Sequence, residues 1–364
     1  MKRMLAIMAG ALIWTSAAVS AQAAPIEPAD IATGAKWFVH IDFDAARDSK
    51  VGQRIHEEAL KNDHVKKELA KMQDELGMDP QKDLHGATLY GTSFTPHKGV
   101  LIVYATADKA KFMAHLKAKP DFMALKTEDG KETLYTWTEH MGHKPSANTK
   151  PAGSQKRSGT AGHESNGHAA KDGAAMHHAY MAHQFMAHEH SHTVWAAFPK
   201  AGMGVFADSP GELKAALDVL GGKSGLASTS PILPDAPKGT VFSGGAIGLS
   251  SLPIPTHMAL AKQIDRLTFA AGESDGEDFD HIKVTMTNDA VAKQLKSIID
   301  GLQAMGDLHF TGHAELLKMI DGLKAEADGK VLSIDWKASS ADVIKFGEQV
   351  CEFVHKHHAE WHHQ

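Results

Sequence analysis

The chain has 364 residues, a formal charge of −6 at neutral pH and one cysteine. That acidic balance disfavours nucleic acid or an anionic membrane surface as the partner, and a single thiol excludes an internal disulfide framework. Stability must come from apolar packing and backbone hydrogen bonding, with Cys351 read as a small buried hydrophobe on a C-terminal helix.

Residues 1–23 read as a secretory signal peptide. Lys2 and Arg3 precede a short apolar run that ends in Ala21, Gln22 and Ala23, the small-residue pattern of a cleavage site. The run is shorter than the roughly 20 apolar residues that span a bilayer, and no later uncharged segment reaches that length. No cysteine stands directly after it, so a lipid anchor is not expected, and the chain is assigned to the periplasm or the secreted fraction. Losing Lys2 and Arg3 takes the formal charge from −6 to −8, whereas protonating all 25 histidines would carry it to +17, so mild acid would transform the surface.

Beyond the leader, residues 24–225 read as a first α+β repeat. Ala35 to Asp44 alternates apolar and polar residues and predicts a strand. Ser49 to Leu60 and Asp63 to Leu76 carry helical spacing, with Val65, Leu69, Met72 and Leu76 on one core-facing row and Gly77 and Pro80 closing it. Strands at Ala87 to Phe94 and Gly99 to Thr106 should pair antiparallel. Asp108 caps a helix ending near Lys117, and Asp129-Gly130 marks a hairpin turn. Thr193 to Pro199 and Gly202 to Asp208 form a further hairpin. Ser209, Pro210 and Glu212 then open a helix with a capping box, which Gly221 closes.

Residues 226–238, rich in Pro and Ser, read as a linker to a second repeat over residues 239–354. Two stretches there resemble the first half. DGKETLYTW at Asp129 to Trp137 aligns without gaps to DGKVLSIDW at Asp328 to Trp336, and the strand and helix at Tyr104 to Leu116 parallel Val284 to Leu295. The expected architecture is therefore α+β, with two tandem related repeats, mostly antiparallel sheets and helices packed on one face.

Residues 140–192 interrupt this pattern. They hold ten of the 25 histidines, and their first half, rich in Pro, Gly and Ser, lacks apolar periodicity and is expected to be disordered. The last part reads MHHAY, MAHQF, MAHEH, setting Met176, Met181 and Met186 in step with His178, His183 and His188. His177, His190 and His192 complete the donor set. Imidazole nitrogen and thioether sulfur suit copper, silver, zinc and nickel better than hard cations. On a helix a five-residue repeat would spiral, so ligation is expected to be local or shared between chains. Residues 355–364 form a His-rich C-terminal tail, in which His358 and His362 would share a helix face.

The spacings His178 to Met181 and His183 to Met186 resemble the HxxM motifs of periplasmic silver- and copper-binding proteins, a likeness over about fifteen residues that implies capture of soft metal ions. The first strand with its following segment, WFVHIDFDAARDSKVGQ, and the twofold pattern are similar to a broad group of secreted bacterial proteins built from two α+β repeats, which implies a fold and no activity.

Enzymatic signatures are missing. HESNGH at His163 to His168 is one residue too long for the zinc-hydrolase motif, LGGKSG at Leu220 to Gly225 lacks the first glycine of a phosphate loop, and neither GxSxG nor CxxCH occurs. No nucleotide or haem is expected. His40, Asp42 and Asp44 form a possible acid/base cluster, which alternation would place on the solvated face of the first strand. Metal ions are the expected partners, with an extracytoplasmic interaction or scaffold module as the alternative reading and a hydrolase third.

Overall fold

A computed structural model describes residues 25–95, 98–127, 132–140, 191–252, 260–310 and 312–361, together with Gly130. Strand β1 (Trp37–Asp42) runs into α1 (Phe43–Asp48), α2 (Lys50–Ala59), α3 (Asp63–Leu76) and α4 (Pro80–Asp83). The strands β2 (Leu84–Gly91) and β3 (Val100–Ala105), helix α5 (Lys109–Lys117), strands β4 (Met123–Lys126), β5 (Thr133–His140), β6 (Ser191–Ala197) and β7 (Met203–Ala207), and helix α6 (Pro210–Leu220) complete the first half. The second half comprises β8 (Thr240–Ile247), β9 (Ile264–Ser274), β10 (Glu277–Met286), α7 (Asp289–His309), α8 (Ala314–Asp321), β11 (Leu323–Asp328), β12 (Val331–Ser339) and α9 (Ser340–Trp361).

Local chemistry explains the boundaries. Asp42 ends β1 and caps α1 by accepting from the Ala45 N–H at 2.8 Å. Gly77 closes α3 in the left-handed conformation that costs glycine nothing (φ +67°). At α6 the expected capping box is present: Ser209 Oγ accepts from the Glu212 N–H and donates to its carboxylate.

Instead of two sheets, the described strands form one antiparallel sheet of twelve, ordered β11-β12-β10-β9-β8-β1-β2-β3-β7-β6-β5-β4. Its seam is the pairing of β1 with β8, the first strand of each half, and outward from that seam both halves run in chain order for three strands and then take their own last strand. The two DGK hairpins occupy different places in this order. Trp336 lies on β12, beside β10, whereas Trp137 lies on β5, separated from β3 by β6 and β7. Their turns also differ: Asp328 pairs with Val331 across a two-residue turn, whereas Lys126 pairs with Thr133 across a longer loop.

Register separates the two faces. One carries Val103, Ala105, Val194, Ala196 and Phe206 under α3 and α5, with Phe112 and Leu116 fully buried. Val284 and Met286 continue the same face under α7. The opposite face of the first half carries Phe38, Tyr90, Ile102 and Val205 under Leu213 and Ala216 of α6. Helices therefore cover one face in the second half, as expected, and both faces in the first. The segment read as a linker is fastened onto that opposite face. Leu226 and Ile232 are buried, the Leu226 N–H donates to Ile31 O at 2.7 Å, and the Ile232 backbone lies against Gly245 of β8. Among the described residues no helix is long and apolar enough to cross a membrane.

Candidate functional site

The His/Met segment leaves the sheet from β5 and returns on β6, which pair through Tyr135↔Ala196, Trp137↔Val194, Glu139↔His192 and finally His140↔Ser191. Its two ends are thus directly opposed residues of one antiparallel ladder, with Cα atoms about 5 Å apart. The base is anchored from below. Trp137 is 2% exposed and donates from its indole to Glu139 Oε1 at 2.9 Å, and Lys119 at the end of α5 reaches the same oxygen at 2.9 Å. Thr138 bonds Asp121 Oδ2 at 3.0 Å, and its N–H donates to Pro120 O. Across the ladder from Glu139, the Nδ1 of His192 is buried without a hydrogen-bond partner among the described residues. Nearby His115 on α5 is held below the ordinary imidazole range, first by burial and then by the Lys119 charge.

Of the metal ligands read from the sequence, His192 lies on β6 at this base. Met176, His177, His178, Met181, His183, Met186, His188 and His190 lie outside the described residues, as does His362. His358 is carried on α9, which runs to Trp361, so residues 355–361, expected as a tail, continue the helix. Among the described residues no three His, Cys, Asp or Glu side chains gather as a metal site.

The acid/base cluster is rearranged relative to expectation. His40 and Asp42 are buried, at 2% and 5% exposure, because their face of β1 is covered. His40 Nδ1 bonds Thr88 Oγ1 at 2.8 Å, and Tyr104 donates to Asp30 Oδ2 at 2.8 Å alongside. Burial, reinforced by the neighbouring Asp30 carboxylate, pushes the Tyr104 phenol well up. Desolvation also raises the Asp42 carboxyl, partly opposed by the N–H it caps. Asp44 has left the strand for α1, where it pairs with Arg47 and binds His85 Nδ1 at 3.0 and 3.1 Å. His85 Nε2 in turn meets Thr106 Oγ1 at 2.7 Å. This Asp-His-Thr chain escaped the sequence reading because its members are 41 and 21 residues apart and only the β1–β2 and β2–β3 pairings unite them. It has the hydrogen-bond order of a relay, but Arg47 already neutralises the carboxylate that would stabilise an imidazolium. The N–H groups of Thr106 and Asp108 are spent on Asp83 O and Gly77 O, so neither is free to bind an oxyanion.

On the opposite face a cavity of about 360 Å³ opens between α6 and the β2–β3 turn, with Tyr90, Val100 and Ala216 among its walls and Lys98, Glu212 and Lys223 contributing charge.

No family model matches the chain, and no curated protein matches it. Among solved structures it is similar to the protein TP0453 in several crystal forms, at 10% identity. Form III gives a TM-score of 0.42 with 88% of this chain and 97% of that chain covered. Form IV gives 0.40 with 91% and 99% covered, and form I 0.39 with 88% and 96%.

Proposed function

We propose that this chain is an exported protein that captures copper, silver, zinc or nickel ions through its His/Met-rich insertion. The carrying observation is the placement of that insertion: a donor-dense segment is tethered at both ends to the directly opposed pair His140 and Ser191 on a sheet braced by Trp137 and Lys119. Tethering both ends keeps many donors at high local concentration, so an ion can exchange water for imidazole and thioether ligands within one chain. Met176, Met181 and Met186 would select Cu(I) or Ag(I), whereas the imidazoles of His177, His178, His183, His188, His190 and His192 would serve Zn(II), Cu(II) or Ni(II). His358 and His362, four apart, offer a second pair.

The ladder register supplies the test. Replacing residues 141–190 by Asn-Gly should close β5 and β6 into an ordinary hairpin and leave the fold intact. Titration of both proteins with each metal by calorimetry should show most of the binding lost with the insertion. Equal stoichiometry and affinity in the two would end the proposal. Changing the three methionines to leucine should weaken Cu(I) binding and spare Zn(II). Binding of Zn(II), Cu(II) and Ni(II) should fade as pH falls below about 6.5, because protonated imidazole is not a ligand, whereas the thioether share of Cu(I) binding should persist.

A further inference from the structure

Helix α7 has an apolar arc wider than its own fold uses. One row, Ala292, Ile299, Gln303 and Gly306, faces inward: Ala292 is fully buried, Gln303 Nε2 donates to Ile320 O and Leu323 O, and Gly306 lies against Ile320 of α8. A second row, Val291, Leu295, Ile298, Leu302 and Met305, steps by four, three, four and three, which is the spacing of a helix-pairing seam. Its first two members are half-buried against the sheet. The others are open, with Ile298 54%, Leu302 62% and Met305 67% exposed, and Leu308 beside them 79% exposed.

At about 100° per residue, Asp289, Lys293, Lys296, Asp300 and Asp307 all fall within about 40° of the direction opposite Ile298. The positions flanking the open row are Gln294, Gly301 and Leu308, none of them charged, and His309, which continues the row four residues past Met305, would face Gln294 in the pairing below. A helix that lies on a lipid surface carries a polar face rich in Lys and Arg, whereas the polar face of α7 sets Asp289, Asp300 and Asp307 against only Lys293 and Lys296. The open row suits another uncharged helical row, and this helix complements itself. Gly301 leaves a gap beside Leu302 that a facing leucine fills, and no like charges meet when two such rows are apposed.

We infer that α7 is a homotypic interface, through which two copies of this chain pair antiparallel about a two-fold axis between Gly301 and Leu302. That axis sets Ile298 of each copy against Met305 of the other and lays each Leu302 over the opposing Gly301, while the helix dipoles oppose. The open row and Leu308 offer about 400–500 Å² per copy, roughly half of what each partner in a standard interface buries, and the polar surface alongside α7 supplies the rim.

Sedimentation velocity of the full chain in EDTA, across the micromolar range, should show a dimer. The Leu302→Glu variant should be monomeric with unchanged far-UV circular dichroism, its dissociation constant raised roughly 100-fold or more by burial of an unpaired charge. In a Cys351→Ser background, Leu302→Cys should be linked between copies by a short bis-maleimide and Lys296→Cys should not. A monomer at all concentrations, a dimer that survives Leu302→Glu, or association that requires added metal would each overturn the inference. So would a monomer whose Leu302-dependent binding is to phosphatidylcholine–phosphatidylglycerol vesicles. The EDTA arm separates this outcome from that of the metal proposal.

Discussion

The two halves of the sheet differ in how many of their faces are covered by helices, and the difference is written in their strands. In the first half β3 reads VLIVYA and β7 reads MGVFA, nearly continuous apolar runs, because each packs under α3 and α5 on one side and α6 on the other. In the second half β10 reads EDFDHIKVTM and β12 reads VLSIDWKAS. Both alternate, and one face meets α7, α8 and α9 while the other carries His281 bonded to Asp335 at 2.5 Å, Lys283 paired with Asp235, and Arg266 bonded to Thr285. One continuous ladder can thus join a double-sided core to a single-sided one, since backbone pairing is indifferent to what the faces carry.

Core truncation should separate the halves most strongly. Phe112 is fully buried and meets the Phe198 ring edge-on at 5.8 Å, so Phe112→Ala should cost about 3–5 kcal/mol in urea unfolding. Met286→Ala, in the smaller cluster under α7, should fall nearer 2 kcal/mol. Equal losses would mean that double coverage does not set the stability contrast.

Next in size is the fastening of residues 226–238. A methyl group on Gly245 would collide with the Ile232 carbonyl oxygen, so Gly245→Ala should cost about 1–3 kcal/mol and expose this segment to protease. Unchanged stability and proteolysis would show that the segment is not seated on β8.

A smaller effect attends Asp42. Asp42→Ala should lose about 1 kcal/mol through the missing cap. Asp42→Asn keeps an acceptor and cannot ionise. The folded carboxyl has a raised pKa, so its contribution is fullest below its ordinary value of 3.8 and is lost as pH rises through the folded value. Relative to the parent, the Asn variant should therefore gain stability between pH 3.5 and 7. A pH-independent difference would remove desolvation as the cause.

Strand and helix positions were legible because caps and turns are local: Asp108, Gly77 and the Ser209 capping box act within four residues. Coverage was not, because whether an alternating strand meets solvent depends on what returns to cover it. His40 alternates like a solvated residue and is buried because residues 226–238 and the turn at Pro28–Asp30 fold back over its face. The converse holds on α7, where spacing alone does not distinguish the buried row from the one in which Ile298, Leu302 and Met305 are exposed. At the insertion the donors were readable from composition, whereas the opposed anchoring of His140 and Ser191 required the ladder.

The smallest effect tests the face that no helix covers. Lys283 is 50% and Asp235 84% exposed, and the ammonium holds the Asp235 carboxyl below its ordinary range. A lowered carboxylate pKa contributes stability above 3.8 that is lost as pH falls through the folded value, but in solvent the pair should be worth about 0–1 kcal/mol. Lys283→Ala should thus shift the urea midpoint little at pH 7, less still in 1 M salt, where screening acts within about 3 Å, and not at all once pH has fallen through the folded value of Asp235. A salt-insensitive loss above about 1 kcal/mol would mean that the pair is shielded from solvent, and that residues 226–238 cover this face as closely as α6 covers that of the first half.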